Sequence, residues 1–411
     1  MRAFIHTAWA TVLLFGLEGN ARASISGTAR LQSRFFVCAR EQLKSIDMEN
    51  FFMNDVGSGL NCAIRRDSSF QFMIDMGAMD GKMINIGNSK PDVTDTFMLS
   101  HYHRDHYNGI GKHKVKFALK NVYLPKMPSI CNHSNIENIG YKFLTYLLSF
   151  TIITEGKSLI ENILFLLYKQ GTKNFTVRFV SKGDTIVYGK RKYEIIWPPK
   201  QLDEKDVIKD VRAAIDAYEK LAQDSPLFKQ AENVSLKIQY LFGQLADLNN
   251  KKVSERRGES SDDTIRDIDS SLLQLTLKLH ELQNEENPLE NKQLIQETND
   301  KLKKAANHLS IAFRQEDNIL FLGDLEPREL EIICKELDAN NQTHYDILVA
   351  PHHGTHWHEK MKQLKCDYAL ASIGHSLVHN IKQEELSTIS KCFLRTDCYG
   401  AINIHKKNIL S

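Results

Sequence analysis

Residues 99–109 read Leu-Ser-His-Tyr-His-Arg-Asp-His-Tyr-Asn-Gly, directly after the apolar run Thr96-Phe97-Met98. This stretch decides the reading of the chain. It places His101, His103, Asp105 and His106 within six positions at the end of an expected strand. Side chains two apart on extended backbone point the same way, so His101 and His103 can address one ion together. Asp105 and His106 can then turn toward a second. Imidazole nitrogens and carboxylate oxygens form a ligand set that zinc accepts at about 2.0–2.2 Å. A polar loop with no chemistry would not gather three of the chain's 16 histidines and an aspartate in so short a span.

The pattern on either side is that of an α/β protein. Residues 51–76 suggest two strands, FFMNDVGSGLNCAIRR and FQFMIDMG, with Gly57 and Gly59 marking a tight turn. Short strands are expected at Val122–Leu124, Thr176–Val180, Thr185–Tyr188 and Tyr193–Trp197, and again at 309–313, 319–324 and 345–351. Amphipathic helices are expected at Tyr141–Thr154 and Ser158–Gln170, and a further helix at Pro327–Leu337. Residues 200–306 differ in character. Val207, Val211, Ile215 and Tyr218 share a helical face; Leu236, Tyr240 and Leu245, then Leu272, Leu275 and Leu279, continue the spacing. This predicts three or four helices in a hairpin or small coiled coil, a solvated arm outside the chemistry. The expected organisation is therefore an N-terminal extension (1–47), one α/β domain in two parts (48–199 and 307–411), and a helical insertion between them (200–306).

The motif His-x-His-x-Asp-His after a strand resembles the signature of the metallo-β-lactamase superfamily. That resemblance implies a four-layer αββα sandwich with two divalent metal ions, zinc or manganese, at one edge of the sheets. Ile74-Asp75-Met76-Gly77 matches the family's early Asp, expected to fix a ligand histidine or the loop from behind. Phe321-Leu322-Gly323-Asp324 matches the Asp that bridges both ions. Ala350-Pro351-His352-His353-Gly354 matches the last histidine, with His352 favoured as ligand and His353 as proton or hydrogen-bond donor, or the two exchanged. His308 is the candidate for the middle histidine, with a surface histidine as the alternative; His113 and His133 lie too near the first motif. His379 is a candidate for the rim of the site.

A closer similarity is to the metallo-hydrolase domain of ComEC-type DNA-uptake proteins. It is carried by DVGSGLNCAI (55–64), GDTIVYGKRKYEIIWPP (183–199), Asn307-x-x-Ser310, ASIGHS (371–376) and LRTDCYGAINI (394–404), and covers most of 50–199 and 307–404. Trp197 stands where such domains often carry a histidine. The many membrane spans of an uptake channel are missing here, so the resemblance is to a stand-alone relative.

Composition excludes other classes. The 411 residues are 42% hydrophobic and 25% charged, with a net charge of +2, too nearly neutral for a general nucleic-acid coat. Local basic runs at Lys112–Lys116 and Lys190–Lys192 could still meet phosphates. The seven cysteines contain no C-x-x-C pair, which argues for reduced thiols over a zinc ribbon. The apolar stretch 141–168 is broken by Glu155, Gly156, Lys157 and Glu161, so no membrane span is expected. Residues 3–17 followed by Ala21-Arg22-Ala23 read as a signal segment or an ordinary N-terminal element, so the expected location is cytoplasmic, or secreted or periplasmic if cleaved.

The resemblance implies a metal-dependent hydrolase using a metal-bridging hydroxide, with Asp105 and His353 as its catalytic residues. The expected substrate is a phosphodiester, DNA or RNA included. A lactonase or thioesterase of the same fold is the alternative within the enzymes. The competing class is a protein that has lost catalysis and acts through 200–306, by self-association or a protein partner. The complete set of Asp75, His101, His103, Asp105, His106, Asp324 and His352 argues against a dead site.

Overall fold

The structure is a computed structural model. It describes residues 50–65, 70–79, 82, 93–110, 116–132, 135–155, 176–255, 292–316 and 318–405, with scattered positions between 270 and 281. The candidate signal segment, the expected helix at 158–170, His113, His133 and most of the basic run at 112–116 lie outside the described residues.

Two mixed sheets of seven strands form the centre. The first runs in the order β16 (Ile402–His405), β1 (Asn50–Met53), β2 (Cys62–Arg65), β3 (Phe70–Ile74), β4 (Val93–Met98), β5 (Lys116–Pro125) and β8 (Thr176–Val180). The second runs β15 (Ser390–Arg395), β14 (Lys365–Ala371), β13 (His344–Val349), β12 (Ile319–Phe321), β11 (Ala312–Gln315), β10 (Arg191–Trp197) and β9 (Thr185–Tyr188). A small hairpin, β6 (Ile130–Asn132) with β7 (Asn135–Glu137), stands apart. Each large sheet joins a parallel half to an antiparallel half: β3 to β8 and β12 to β15 pair in parallel, the rest antiparallel.

Three buried clusters define the layers. Phe51, Ile64, Phe72 and Ile74 of the first sheet meet Tyr193, Ile195, Phe313 and Phe321 of the second. The other face of the first sheet (Ala63, Met73, Phe97, Val122) is covered by α1 (Ile139–Glu155), α2 (Lys205–Asp224), the start of α3 (Pro226–Glu255) and α4 (Lys292–His308). The outer face of the second sheet is covered by α5 (Pro327–Ala339) and α6 (Gln383–Ile389); a short α7 (Thr396–Tyr399) follows β15. A strand covered on both faces buries nearly every side chain, as β4 does from Thr94 to Met98.

The sequence expectation needs three corrections here. Residues 50–74 make three strands, because Gly57 turns the chain at a φ of 70° between β1 and β2. Residues 309–311 are not strand, since Leu309 N–H and Ser310 N–H bond back to Ala306 and Asn307 and extend the helix end. The helices between β10 and β11 are not a solvated arm. Val207, Val211, Tyr218 and Leu302 are fully buried in the same cluster as Phe97. Their period-3.6 stripe lies against α1 and the first sheet rather than in a separate coiled coil. Leu236 and Tyr240, expected on a buried face, are 49% and 66% exposed. Among the described residues no helix is long and apolar enough to cross a membrane. The five cysteines whose side chains are described are all free thiols.

Candidate metal centre

Asp105, His106, Asp324 and His353 each offer a ligand atom, and these atoms all lie within 4.8 Å of one another. All four sit just past strand ends, two on each sheet. After β4 the chain makes a 3-10 turn, Arg104–His106, closed by His106 N–H to His103 O (3.1 Å). The turn is clamped from the other side: Leu60 N–H donates to Asp105 O (3.1 Å) and Met76 N–H to His106 O (2.6 Å). Asp324 follows β12 through Gly323, whose φ of 54° lets the chain turn beside Ile311 O. A Cβ at Gly323 would meet that oxygen at 2.7 Å.

Asp324 Oδ2 is the hub. It lies 3.2 Å from His106 Nε2, 3.6 Å from His353 Nε2, 3.7 Å from His352 Nε2 and 3.9 Å from His101 Nε2. Asp105 Oδ2 is 3.5 Å from His353 Nε2 and 3.8 Å from His106 Nε2. The His101 ring centroid stands 4.5 Å from that of His103 and 4.0 Å from that of His106.

Behind the cluster, Asp75 accepts from Ser100 N–H (2.6 Å), Ser100 Oγ–H (2.6 Å) and His106 Nδ1 (2.7 Å). Because Ser100 Oγ spends its proton on Asp75, its lone pair faces His101 Nδ1 at 3.1 Å. His353 Nδ1 donates to Ser372 O (3.1 Å). For His101 and His353 the Nδ1 partner fixes the tautomer and leaves Nε2 facing the cluster, while His106 sits between two carboxylates, with Nε2 against Asp324 Oδ2 at 3.2 Å. Asp75, His352 and His353 all have positive φ (56°, 46° and 59°), three of the five non-glycine residues with left-handed backbone among the described residues.

His101 Nε2, His103 Nε2, His353 Nε2 and Asp324 Oδ1 are buried with no hydrogen-bond partner. Buried polar atoms are almost always satisfied, and a convergent group of orphaned lone pairs fits a cation. The residues therefore fit a metal ion. The electrostatics agree. Burial, with the neighbouring His106 and His103, pushes His101 well below its ordinary pKa, and burial drives His103 down to about 3. Burial also lowers His352, to about 4. Burial opposes ionisation of Asp324 and Asp105, but the surrounding histidines outweigh it and hold both carboxyls below the usual range. Burial also opposes the charged forms of His106 and His353, but Asp324, Asp75 and Asp105 around them outweigh it and raise both, so these two rings carry positive charge against the carboxylates while His101 and His103 stay neutral.

Three expectations differ from this geometry. His353, expected as the donor, sits in the four-residue ligand group, while His352 is half-exposed and turns Nδ1 to His356 Nε2 (2.7 Å). His308 is not a ligand. Its Nδ1 meets Glu329 Oε1 at 2.8 Å and its Nε2 meets Asp210 Oδ2 at 3.0 Å, and neither carboxylate belongs to the group around Asp324. His379 is exposed on the turn Val378–Asn380 and does not line the cleft over the cluster. Trp197 donates its Nε1–H to His308 O (2.7 Å), bracing the end of α4. Ser100 and His356 were missed by the sequence reading. Ser100 could have been noticed as the last residue before the first histidine.

The His308 pair has a consequence for stability. Burial alone would lower its pKa, but Glu329 and Asp210 outweigh burial and raise it. A raised folded value stabilises below the unfolded value of about 6.5 and is lost as pH climbs through the folded value. The melting temperature of wild type should therefore fall more steeply from pH 6 to pH 9 than that of His308→Gln. Parallel pH profiles would contradict the assignment.

No protein-family model matches the sequence, and no curated protein matches it either.

Proposed function

We propose that this chain is a metal-dependent hydrolase of the metallo-β-lactamase type, with a helical insertion between β10 and β11, acting on a phosphodiester. The observation that carries the reading is the convergence on the Asp324 carboxylate of His106 Nε2 and of His101 Nε2 and His353 Nε2, the last two buried with no hydrogen-bond partner. In this reading Asp105, His106, Asp324 and His353 would hold a divalent ion, and His101 and His103 would contribute to a second. The ions, when bound, supply an acidified water and charge stabilisation.

The chain's own residues do the rest. Asp75 and Ser100 hold His106 and His101 in the tautomers that present Nε2. His352 lies on the cleft wall as a neutral imidazole, its Nδ1 contacted by His356 Nε2 and by Thr355 Oγ1 (3.0 Å) and its Nε2 turned toward Asp324 Oδ2 at 3.7 Å, where it would meet a substrate oxygen as a hydrogen-bond partner. No side-chain nucleophile is required. A phosphodiester is favoured over a lactone or thioester because Arg104 and Lys303 line the cleft beside the cluster and suit an anionic substrate.

The test is elemental analysis of the purified protein beside hydrolysis of bis-p-nitrophenyl phosphate. About two equivalents of zinc or manganese, with metal-dependent cleavage, are expected. Two equivalents without cleavage would turn the search to lactones and thioesters. No metal after supplementation would end the enzyme reading.

A further inference from the structure

The cleft over the metal cluster measures about 550 Å³; Asn299, Lys303 and Asn307 of α4 line it together with His352 and His353. Behind His352 stand Thr355 and His356, which take no part in holding the ions. The turn that carries all three is pinned on both sides. His352 N–H donates to Gly323 O (2.9 Å), just before Asp324, and Lys382 N–H donates to Gly354 O (2.9 Å). The ring of His356 lies against that of His352, with centroids 3.9 Å apart.

The partners fix the hydrogens. Leu325 O can only accept, so His356 Nδ1, 2.9 Å away, carries a hydrogen. The Glu326 carboxylate, 3.8 Å from the same nitrogen, favours it there. In the neutral ring this leaves His356 Nε2 as an acceptor, and it faces His352 Nδ1 at 2.7 Å. Thr355 Oγ1 donates its one hydrogen to His352 O (2.7 Å), so an oxygen lone pair faces that same Nδ1 at 3.0 Å. Two acceptors thus converge on His352 Nδ1, and a hydrogen on that nitrogen serves both. Without it, lone pairs would oppose one another at 2.7 Å. In a neutral imidazole the other nitrogen is then bare. His352 Nε2 is therefore a lone pair, turned toward Asp324 Oδ2 at 3.7 Å and too far from it for a hydrogen bond.

We infer that His356, with Thr355, is a positioning residue that locks His352 in the Nδ1–H form, so that His352 Nε2 accepts a hydrogen bond from an O–H held beside Asp324. This rests on the hydrolase reading and adds which oxygen the ring meets. An acceptor needs an oxygen that brings its own hydrogen. The oxygens of a phosphodiester carry none at neutral pH, so the partner is the attacking water, whose lone pair the contact turns toward the phosphorus. A contact of this kind acts on turnover and leaves substrate binding alone.

The experiment uses zinc-supplemented full-length protein whose histidines carry a heavy nitrogen isotope. Long-range proton–nitrogen NMR spectra tell the two neutral tautomers apart, and His352→Gln assigns the signals of that ring. Wild type should show His352 in the Nδ1–H form. His356→Leu removes the acceptor and should raise the share of the Nε2–H form. His356→Gln, whose amide offers both an acceptor and a donor, should restore the wild-type pattern. In hydrolysis of bis-p-nitrophenyl phosphate, His356→Leu should lower kcat about tenfold, as for the loss of one hydrogen bond, with KM and metal content unchanged. His356→Gln should recover most of that loss. An Nε2–H form in wild type, or a tautomer unmoved in His356→Leu, would overturn the lock. A rise in KM in place of the fall in kcat would put His352 on the phosphodiester and overturn the choice of water. A lock that depends on His356 in a protein that cleaves no diester would uphold the positioning and sink the hydrolase reading.

Discussion

Asp324→Ala is expected to abolish both metal uptake and the proposed hydrolysis. Four imidazole Nε2 atoms stand 3.2–3.9 Å from its Oδ2, and no other group reaches all four. In the proposed arrangement Asp105, His106 and His353 would lose one of four ligands, and His101 would lose the carboxylate 3.9 Å from its Nε2. Hydrolysis should fall by about a thousandfold or more, since both the charge stabilisation and the acidified water depend on bound ions. The fold should persist. Leu322 and Leu325 on either side are fully buried, and Gly323 sets the backbone turn independently of the carboxylate. Elemental analysis checks the first claim. Thermal melts with and without added zinc check it again, because a ligand that binds only the folded state raises the melting temperature by mass action. Wild type should shift and the variant should not. A variant that keeps two equivalents of metal would remove Asp324 from the centre of the site.

The parts of the site that the sequence discloses are those that local backbone decides. His101 to His106, Asp75 and Asp324 all follow strands, where the end of the pairing fixes which way the next side chains project. What the sequence conceals depends on partners far along the chain. His308 looks like a ligand by its place before β11, but Asp210, 98 residues earlier, and Glu329, 21 residues later, close on its two nitrogens. Nothing local reports either. His352 and His353 cannot be told apart from sequence because both take left-handed backbone, and the usual rule for side-chain direction fails there. The helical period of 205–224 is plain. What covers that face is not, since a stripe of Val207, Val211 and Tyr218 suits a coiled-coil partner as well as α1 and the first sheet. The same limit hid the role of α4 as a cleft wall.

Gly77→Ala has the largest effect expected of any change that removes no polar group. A Cβ at Gly77 would stand 1.7 Å from Asp105 O and 2.8 Å from both Asp105 C and Leu60 N. All three are backbone atoms, so no side chain can swing aside. The turn carrying Asp105 and His106 must move by more than an ångström, and with it the bonds from Leu60 to Asp105 and from Met76 to His106. Overpacking of this kind costs about 3 kcal/mol. The cost falls on the segment that orients two ligands, so metal binding should weaken along with stability. Gly243→Ala is the contrast. Gly243 lies within α3, and its Cβ would meet nothing within 4 Å. Alanine there removes only the helix penalty of glycine and should stabilise by roughly 0.5–1 kcal/mol. Urea denaturation of the two variants gives the signs, and metal titration of Gly77→Ala gives the coupling. If Gly77→Ala held metal as tightly as wild type, the turn would not depend on the close approach of Asp105 to residue 77, and the reason for a glycine after Asp75 would have to be sought elsewhere.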